Sequence, residues 1–312
     1  MQLLLFSLMF LGGLAVIIKG ADWLTDGAAA IARRLGIPTV VVGLTVVAMG
    51  SSMPEFVVSV MSAVKGETDI ALGNVVGSNI FNIVGILGIT ALVAPIRVTR
   101  GSIRNDVPFA LLAAVATVIV AWGGRIERTE GLLMLCIFMV FLSYTLAIGS
   151  DSTPGEDARE KEGSVWKPVG LTLVGLAGLL AGGELLVEGG AGAARLMGVP
   201  ESLVALTFIS MGTSAPELAA SVMAARKGDF GIALGNVVGS NVFNVFFVLA
   251  SAATVSPLST GGITMVDLGM AVAASAVLWL FCRFGRDHYV ISRTEGVLLI
   301  LMGVAYYAWL IA

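Results

Sequence analysis

Two glutamates stand deep in apolar sequence, each directly after a proline and a short run of small residues. The first block reads Gly50-Ser51-Ser52-Met53-Pro54-Glu55 and the second Gly212-Thr213-Ser214-Ala215-Pro216-Glu217. If these segments cross a membrane, each ionised carboxylate costs about 2.5–3.5 kcal/mol on insertion scales. A cation held between Glu55 and Glu217 would compensate both. A buried salt bridge is the plainer alternative, but neither block contains a basic residue.

The prolines bear on the same chemistry. Proline lacks an amide hydrogen and its ring clashes with the carbonyl four residues earlier, here those of Gly50 and Gly212. A break or kink is therefore expected near 50–52 and 212–214. Irregular backbone at membrane depth is tolerated around a cavity or inside protein, and hard cations take oxygen ligands of this kind. Downstream, Asn74, Ser78 and Asn82 are spaced to form one stripe on a helix, as are Asn236, Ser240 and Asn244. Their side-chain oxygens are candidates to complete a shell facing the glutamates. Helix packing is the competing use, since Gly73 and Gly77 form a small-xxx-small pair. Asn79 and Asn241 point about 100° away from the stripe and are weaker candidates. No His or Cys accompanies the acids, which argues against zinc or copper. One Ca²⁺ would neutralise the two carboxylates, and Na⁺ ions could share the same oxygens; Mg²⁺ dehydrates reluctantly.

The elements that position these residues are written twice. Residues 43–60 match 205–222 at 9 of 18 positions, and 71–88 match 233–250 at 12 of 18, all at one offset of 162 residues. The chain is 57% apolar and 12% charged, with a mean hydropathy of +0.96, against roughly 25% charged residues in soluble domains. Ten stretches are long enough to span: 2–18, 38–63, 70–95, 106–122, 131–148, 168–187, 199–225, 231–256, 264–282 and 296–311. Continuous rather than alternating apolar runs exclude a transmembrane barrel. The expected fold is an all-α polytopic membrane protein of ten transmembrane helices. They form two five-helix repeats, 1–148 and 168–312, joined by a polar linker at 149–167. Five is odd, so the second repeat enters the membrane in the opposite sense and the repeats are inverted. The first segment lacks a basic n-region and aligns with the second half, so it does not read as a cleaved signal peptide.

Charge distribution sets an orientation. One set of alternate loops holds fourteen of the eighteen Lys and Arg residues, the other only Lys65, Arg125, Arg128 and Arg195. The positive-inside rule makes the first set cytoplasmic and puts both termini outside. Ser52 and Ser78 are then expected to group with Glu55 toward one face, and Ser214 and Ser240 with Glu217 toward the other. Asp22 and Asp26, and their equivalents Glu184 and Glu188, read as solvated or capping residues. Glu130 and Glu295 recur in Arg-Thr-Glu-Gly at helix starts, where acids suit the helix dipole. Cys136 and Cys282 read as buried small hydrophobes, and His288 as a loop residue.

The doubled Gly-Ser-Ser-Met-Pro-Glu and Gly-Thr-Ser-Ala-Pro-Glu motifs, each followed by Gly-Asn-Val-Val-Gly-Ser-Asn, resemble the paired α-repeats (here 43–88 and 205–250) of the cation/calcium antiporter superfamily. The likeness is to compact prokaryotic sodium/calcium exchangers and covers nearly the whole chain. It implies a core of the second, third, seventh and eighth helices, with the first and sixth as long tilted helices that slide against it. It implies Glu55 and Glu217 as shared Ca²⁺ and Na⁺ ligands. Carbonyls would come from Ser51 and Thr213, hydroxyls from Ser52, Ser78, Ser214 and Ser240, with the Ala48 and Ser210 carbonyls nearby. Asn82 and Asn244 would flank the centre. Potassium-dependent relatives carry Asp at the position of Asn244, so K⁺ co-transport is not expected. The linker is too short for the calcium-sensing insert of animal relatives.

The reading is a secondary active antiporter exchanging Na⁺ for Ca²⁺ by alternating access, in a prokaryotic plasma membrane, with no cofactor, no nucleic acid and no obligatory protein partner. The alternative is a proton/calcium antiporter, against which the serine and asparagine oxygens argue, since protons need no such cage. A cation channel usually builds its filter from rings of repeated loops, which an inverted two-fold repeat does not supply. An intramembrane enzyme with paired carboxylates would need a nucleophile or substrate pocket that the sequence does not offer.

Overall fold

A backbone in hydrocarbon must satisfy its own hydrogen bonds, so apolar runs of this length fold as helices. The computed structural model describes residues 2–151, 165–198, 213–260, 263–285 and 289–311. Its helices are α1 (Gln2–Leu35), α2 (Thr39–Ser51), α3 (Met53–Lys65), α4 (Thr68–Val93), α5 (Ser102–Ala121), α6 (Arg128–Asp151), α7 (Trp166–Leu196), α8 (Ala215–Arg226), α9 (Phe230–Val255), α10 (Met265–Phe284) and α11 (Arg293–Ile311). Among the described residues seven are long and apolar enough to cross a membrane, and the α2–α3 pair, bent by 49°, makes an eighth. α8 is the described end of the expected 199–225 segment, and α11 occupies 296–311. The chain is an all-α polytopic membrane protein.

The internal repeat is visible in the backbone. α9 starts and ends at the 162-residue offset from α4, and α8 starts at that offset from α3. Both central helices loosen into a π-turn at the equivalent place, Asn82–Leu87 and Asn244–Leu249. Four two-residue strands pair antiparallel between the halves: β1 (Ile96–Arg97) with β4 (Val290–Ile291), and β2 (Arg125–Ile126) with β3 (Leu258–Ser259). Exchanging the halves turns one pair into the other.

Burial sorts the helices. The apolar stretch of α9 is 94% buried and that of α4 is 72%, against 17% for α1 and 28% for α7. α4 and α9 are therefore the centre, and α1 and α7 the periphery. Phe243, Phe246 and Phe247 of α9 pack on Phe138, Phe109 and Phe56. Gly235 and Gly239 bring α9 onto α2: a Cβ at either would lie 2.7 Å from the backbone of Val40 or Leu44. The small residues of α9 thus serve close approach; the expected Gly73–Gly77 pair of α4 makes none among the described residues, where a Cβ at Gly73 would meet only Ile263 at 3.4 Å and one at Gly77 nothing within 4 Å. The segment equivalent to α2 in the second half lies outside the described residues. α1 and α7 run antiparallel along a glycine seam, where a Cβ at Gly20 would meet Leu179 N at 2.8 Å and one at Gly175 would meet Leu24 N at 2.5 Å.

Two boundaries differ from expectation for one reason. The expected 2–18 and 168–187 segments continue as helix to Leu35 and Leu196. Charged residues end the apolar run, but helix persists where those charges are paired or reach solvent. At the other helix starts Glu130 and Glu295 cap as expected, accepting from Glu127 N at 2.7 Å and Ser292 N at 2.6 Å. Cys282 is buried, but Cys136 is exposed, because its side of α6 faces outward.

Candidate functional site

The helix breaks where the proline requires it. α2 ends at Ser51, Ser52 adopts φ −86° and ψ 11°, and α3 begins with Pro54 in its first turn. Ser214 has φ −90° and ψ 4° before Pro216 of α8. Each break delivers a glutamate into the first turn of a helix, where the helix dipole favours negative charge. Glu55 and Glu217 are each 1% exposed.

The two halves cross at this point. Ser52 Oγ donates to Glu217 Oε1 at 2.8 Å, and Ser214 Oγ donates to Glu55 Oε1 at 3.3 Å. Each serine thus serves the glutamate of the opposite repeat, not that of its own. The within-repeat grouping expected from the sequence is corrected for Ser52 and Ser214, since the breaks face each other across the centre.

Asn74 and Asn236 have turned away from a cage. Asn74 Nδ2 donates to the Glu55 carbonyl at 3.1 Å and to Ser59 Oγ at 2.9 Å; Asn236 Nδ2 donates to the Glu217 carbonyl at 3.1 Å and to Ser221 Oγ at 2.9 Å. Asn236 Oδ1 accepts from Ser51 Oγ at 3.1 Å. These asparagines brace the broken backbone. Ser51 Oγ also lies 3.4 Å from the Ala48 carbonyl, which accepts the Ser52 amide at 3.1 Å.

Asn79 and Asn241 form a reciprocal clasp that the helical stripe did not foretell. Asn79 Nδ2 donates to the Asn241 carbonyl at 3.2 Å, and Asn241 Nδ2 to the Asn79 carbonyl at 3.1 Å. Their own Oδ1 atoms accept from Asn244 Nδ2 at 3.1 Å and Asn82 Nδ2 at 3.0 Å. The clasp occupies a donor of Asn82 and Asn244 and leaves their oxygens over. The signal available in the sequence was repetition: residues 71–79 recur verbatim as 233–241, Asn79 included.

Five buried oxygens at this centre have no hydrogen-bond partner among the described residues: Glu55 Oε2, Glu217 Oε2, Asn82 Oδ1, Asn244 Oδ1 and Ser240 Oγ. Buried polar atoms are almost always partnered. Four of these five are pure acceptors, which points to cations rather than packing. Ser78 is buried on the same stripe, and Thr213 opens the described part of the second break. Ser210 lies outside the described residues. Among those residues no group of three or more His, Cys, Asp or Glu side chains forms a metal cluster, so the donor set is two carboxylates with neutral oxygens.

The surroundings are less symmetric than the centre. On one side a cleft of about 420 Å³ is lined by Pro54, Thr213 and Pro216 and by the exposed Glu184 and Glu188 of α7. On the other, Lys227 bridges Asp22 at 2.6 Å and Asp26 at 2.7 Å, tying α1 to the α8–α9 turn. Burial opposes the charge on Lys227, but its bonds to Asp22 and Asp26 hold its pKa above the usual lysine value. Asp22 and Asp26 are thus ion-paired, not simply solvated or capping. The repeat equivalent Lys65 is exposed and joins no salt bridge among the described residues.

Comparison with known proteins gives one consistent picture. The family model described as "Sodium/calcium exchanger protein" matches residues 5–147 and 167–312. The chain is 32% identical over 307 residues to inner membrane protein YrbG of Escherichia coli (strain K12), covering 95% of this chain and 94% of the relative. It is 30% identical over 340 residues to sodium/calcium exchanger MaX1 of Methanosarcina acetivorans, covering 96% of each. Its fold superposes on the sodium-calcium exchanger NCX_Mj, soaked with 10 mM Na⁺ and zero Ca²⁺, with a TM-score of 0.87 at 30% identity, over 98% of this chain and 99% of that one.

Proposed function

Because the chain belongs to the sodium/calcium exchanger protein family, we propose that it moves Ca²⁺ and Na⁺ in opposite directions through the oxygen cage at the crossing of α2–α3 and α4 with their repeats. It is an antiporter and not an enzyme. The observation that carries the reading is the set of five buried oxygens, drawn from both repeats, that have no hydrogen-bond partner among the described residues.

In this reading Glu55 and Glu217 are the ligands common to both ions. Asn82 and Asn244 present their free Oδ1 atoms beside them. Ser52, Ser78, Ser214 and Ser240 supply hydroxyl oxygens, and Ser51, Thr213, Ala48 and Ser210 supply carbonyls. When Ca²⁺ binds, its charge balances both carboxylates. When sodium ions bind, the serine hydroxyls rotate their protons off the glutamates and turn lone pairs to the ions. The Ca²⁺-bound centre is then neutral, and the sodium-bound centre carries the single positive charge that the cycle moves, spread over the neutral oxygens. Access alternates between faces, three Na⁺ move per Ca²⁺ with one net charge per cycle, and K⁺ takes no part because Asn244 is neutral. The charge distribution supports an orientation with both termini outside a prokaryotic plasma membrane. A proton/calcium antiporter has no use for the asparagine oxygens.

The test is ⁴⁵Ca²⁺ uptake into Na⁺-loaded proteoliposomes at clamped voltage, with outside Na⁺, K⁺ or choline. Uptake is expected with K⁺ or choline outside, equally for both, and to vanish when the sodium gradient is removed. A strict K⁺ requirement, or uptake that follows a proton gradient instead, would overturn the reading.

Crossed pairing refines the sodium sites into two levels. From the assigned orientation α2–α3 runs inside to outside, so Ser52 with Glu217 lies at an inner level and Ser214 with Glu55 at an outer one. Ser52→Ala is expected to raise the half-saturating Na⁺ concentration on the cytoplasmic side roughly five-fold, the value of one hydrogen-bonding ligand near 1 kcal/mol. Ser214→Ala should do the same from outside. Sodium titration of each face in oriented vesicles checks this; equal effects on both faces for both variants would refute it.

A further inference from the structure

Three arginines converge on a second cleft, remote from the ion site. Arg100 precedes α5, Arg104 lies in its first turn and Arg283 in the last turn of α10. With Ile103, Pro108, Trp279 and Tyr289 they line a space of about 520 Å³. All three arginines are exposed, and none forms an ion pair among the described residues. Arg100 sits 5.4 Å over the ring of Tyr289 and Arg283 5.7 Å over that of Phe284. Aromatic faces orient a guanidinium without neutralising it. Trp279 Nε1 donates to the Ile103 carbonyl at 3.3 Å, so its one donor is used and its apolar face is what it offers the cleft. Tyr289 holds a positive φ of 67° while its carbonyl accepts from Val98 N at 2.8 Å. This backbone, unfavourable for a non-glycine residue, anchors the rim beside Arg100.

We propose that this cleft binds the phosphate headgroup of an anionic membrane phospholipid. Guanidinium forks match phosphate oxygens, and basic pockets between transmembrane helix ends suit anionic headgroups. The apolar wall decides between a lipid and a free phosphate ion. Ile103, Pro108 and Trp279 lie beside the arginines, and Phe284 is 69% exposed at the edge. A free ion has no use for that surface, whereas glycerol and the first acyl carbons of a lipid cover it. The positive-inside assignment puts the cleft in the cytoplasmic leaflet, at the depth where tryptophan is enriched.

The test uses the full chain in nanodiscs of phosphatidylglycerol and phosphatidylcholine, with retained lipid counted by native mass spectrometry. Phosphatidylglycerol should be retained over phosphatidylcholine. Arg100→Gln, Arg104→Gln and Arg283→Gln should each lower that retention roughly five-fold, the share of one basic group near the surface. Arg104→Lys should restore part of it, and Arg226→Gln, which removes the same charge away from the cleft, should leave it unchanged. Trp279→Ala should also reduce retention. Undiminished retention in the three cleft variants, a loss as large in Arg226→Gln, or retention of inorganic phosphate in place of lipid would each overturn the proposal.

Discussion

Glu55→Gln and Glu217→Gln are each expected to cut sodium-driven ⁴⁵Ca²⁺ uptake roughly a hundred- to several thousand-fold. Removing one partner of a buried charge set costs about 3–5 kcal/mol, and each 1.4 kcal/mol is a factor of ten. Glutamine keeps the shape of the side chain and an oxygen to accept from Ser214 or Ser52. What it removes is charge, and with it half of the compensation for Ca²⁺. The oxygens Glu55 Oε2 and Glu217 Oε2 have no hydrogen-bond partner among the described residues, so the loss falls on the ion and not on the fold. Uptake assays on reconstituted variants with unchanged thermal unfolding check this; wild-type-like flux in either variant would remove the glutamates from the mechanism.

A second large effect is expected at the seam between α1 and α7. A Cβ at Gly13 would lie 2.6 Å from Leu186 N, whereas one at the adjacent Gly12 would meet nothing within 4 Å. Leucine favours helix over glycine by close to 1 kcal/mol, so helix propensity alone would make both substitutions stabilising. Gly13→Leu should instead drive two backbones apart, at a cost of about 1–3 kcal/mol, and reduce exchange roughly five- to a hundred-fold. Gly12→Leu should behave as wild type. Thermal unfolding and ⁴⁵Ca²⁺ exchange on the pair provide the comparison, and equal behaviour of the two variants would show that close approach of α1 and α7 is dispensable.

The repetition of polar residues made much of the centre legible from sequence. Carboxylates in apolar segments are unfavourable enough that finding them twice at one offset marks a site, and Pro54 fixed where the helix breaks. The ranges of α4 and α9 were read within two residues, because turn residues bound each apolar run. Pairings between distant segments were not legible. Nothing local shows that Ser52 reaches Glu217, or that Lys227 meets Asp22 and Asp26, since these contacts depend on how two inverted halves interlock. The asparagine clasp was missed for a related reason. Periodicity locates a face of one helix but not the helix it meets, and Asn79 lies off the stripe that faces the glutamates. The long ends of α1 and α7 are not legible because charge ends an apolar run without ending the helix.

The tie from Lys227 to Asp22 and Asp26 has a consequence for direction. Under the proposed alternating access, a centre with two-fold symmetry gives inward-open and outward-open arrangements matching energies, so ligands alone set no resting preference. Among the described residues the ionic tie belongs to one face only. Holding α1 against the α8–α9 turn by roughly 1 kcal/mol skews the two populations about five to one in the absence of ions. Salt weakens contacts between partly exposed charges, and Lys227 and Asp22 retain 24% and 29% of their side-chain exposure. The ionic strength of a single compartment therefore acts as a thumb on the scale, favouring the side from which an empty carrier begins its next turnover.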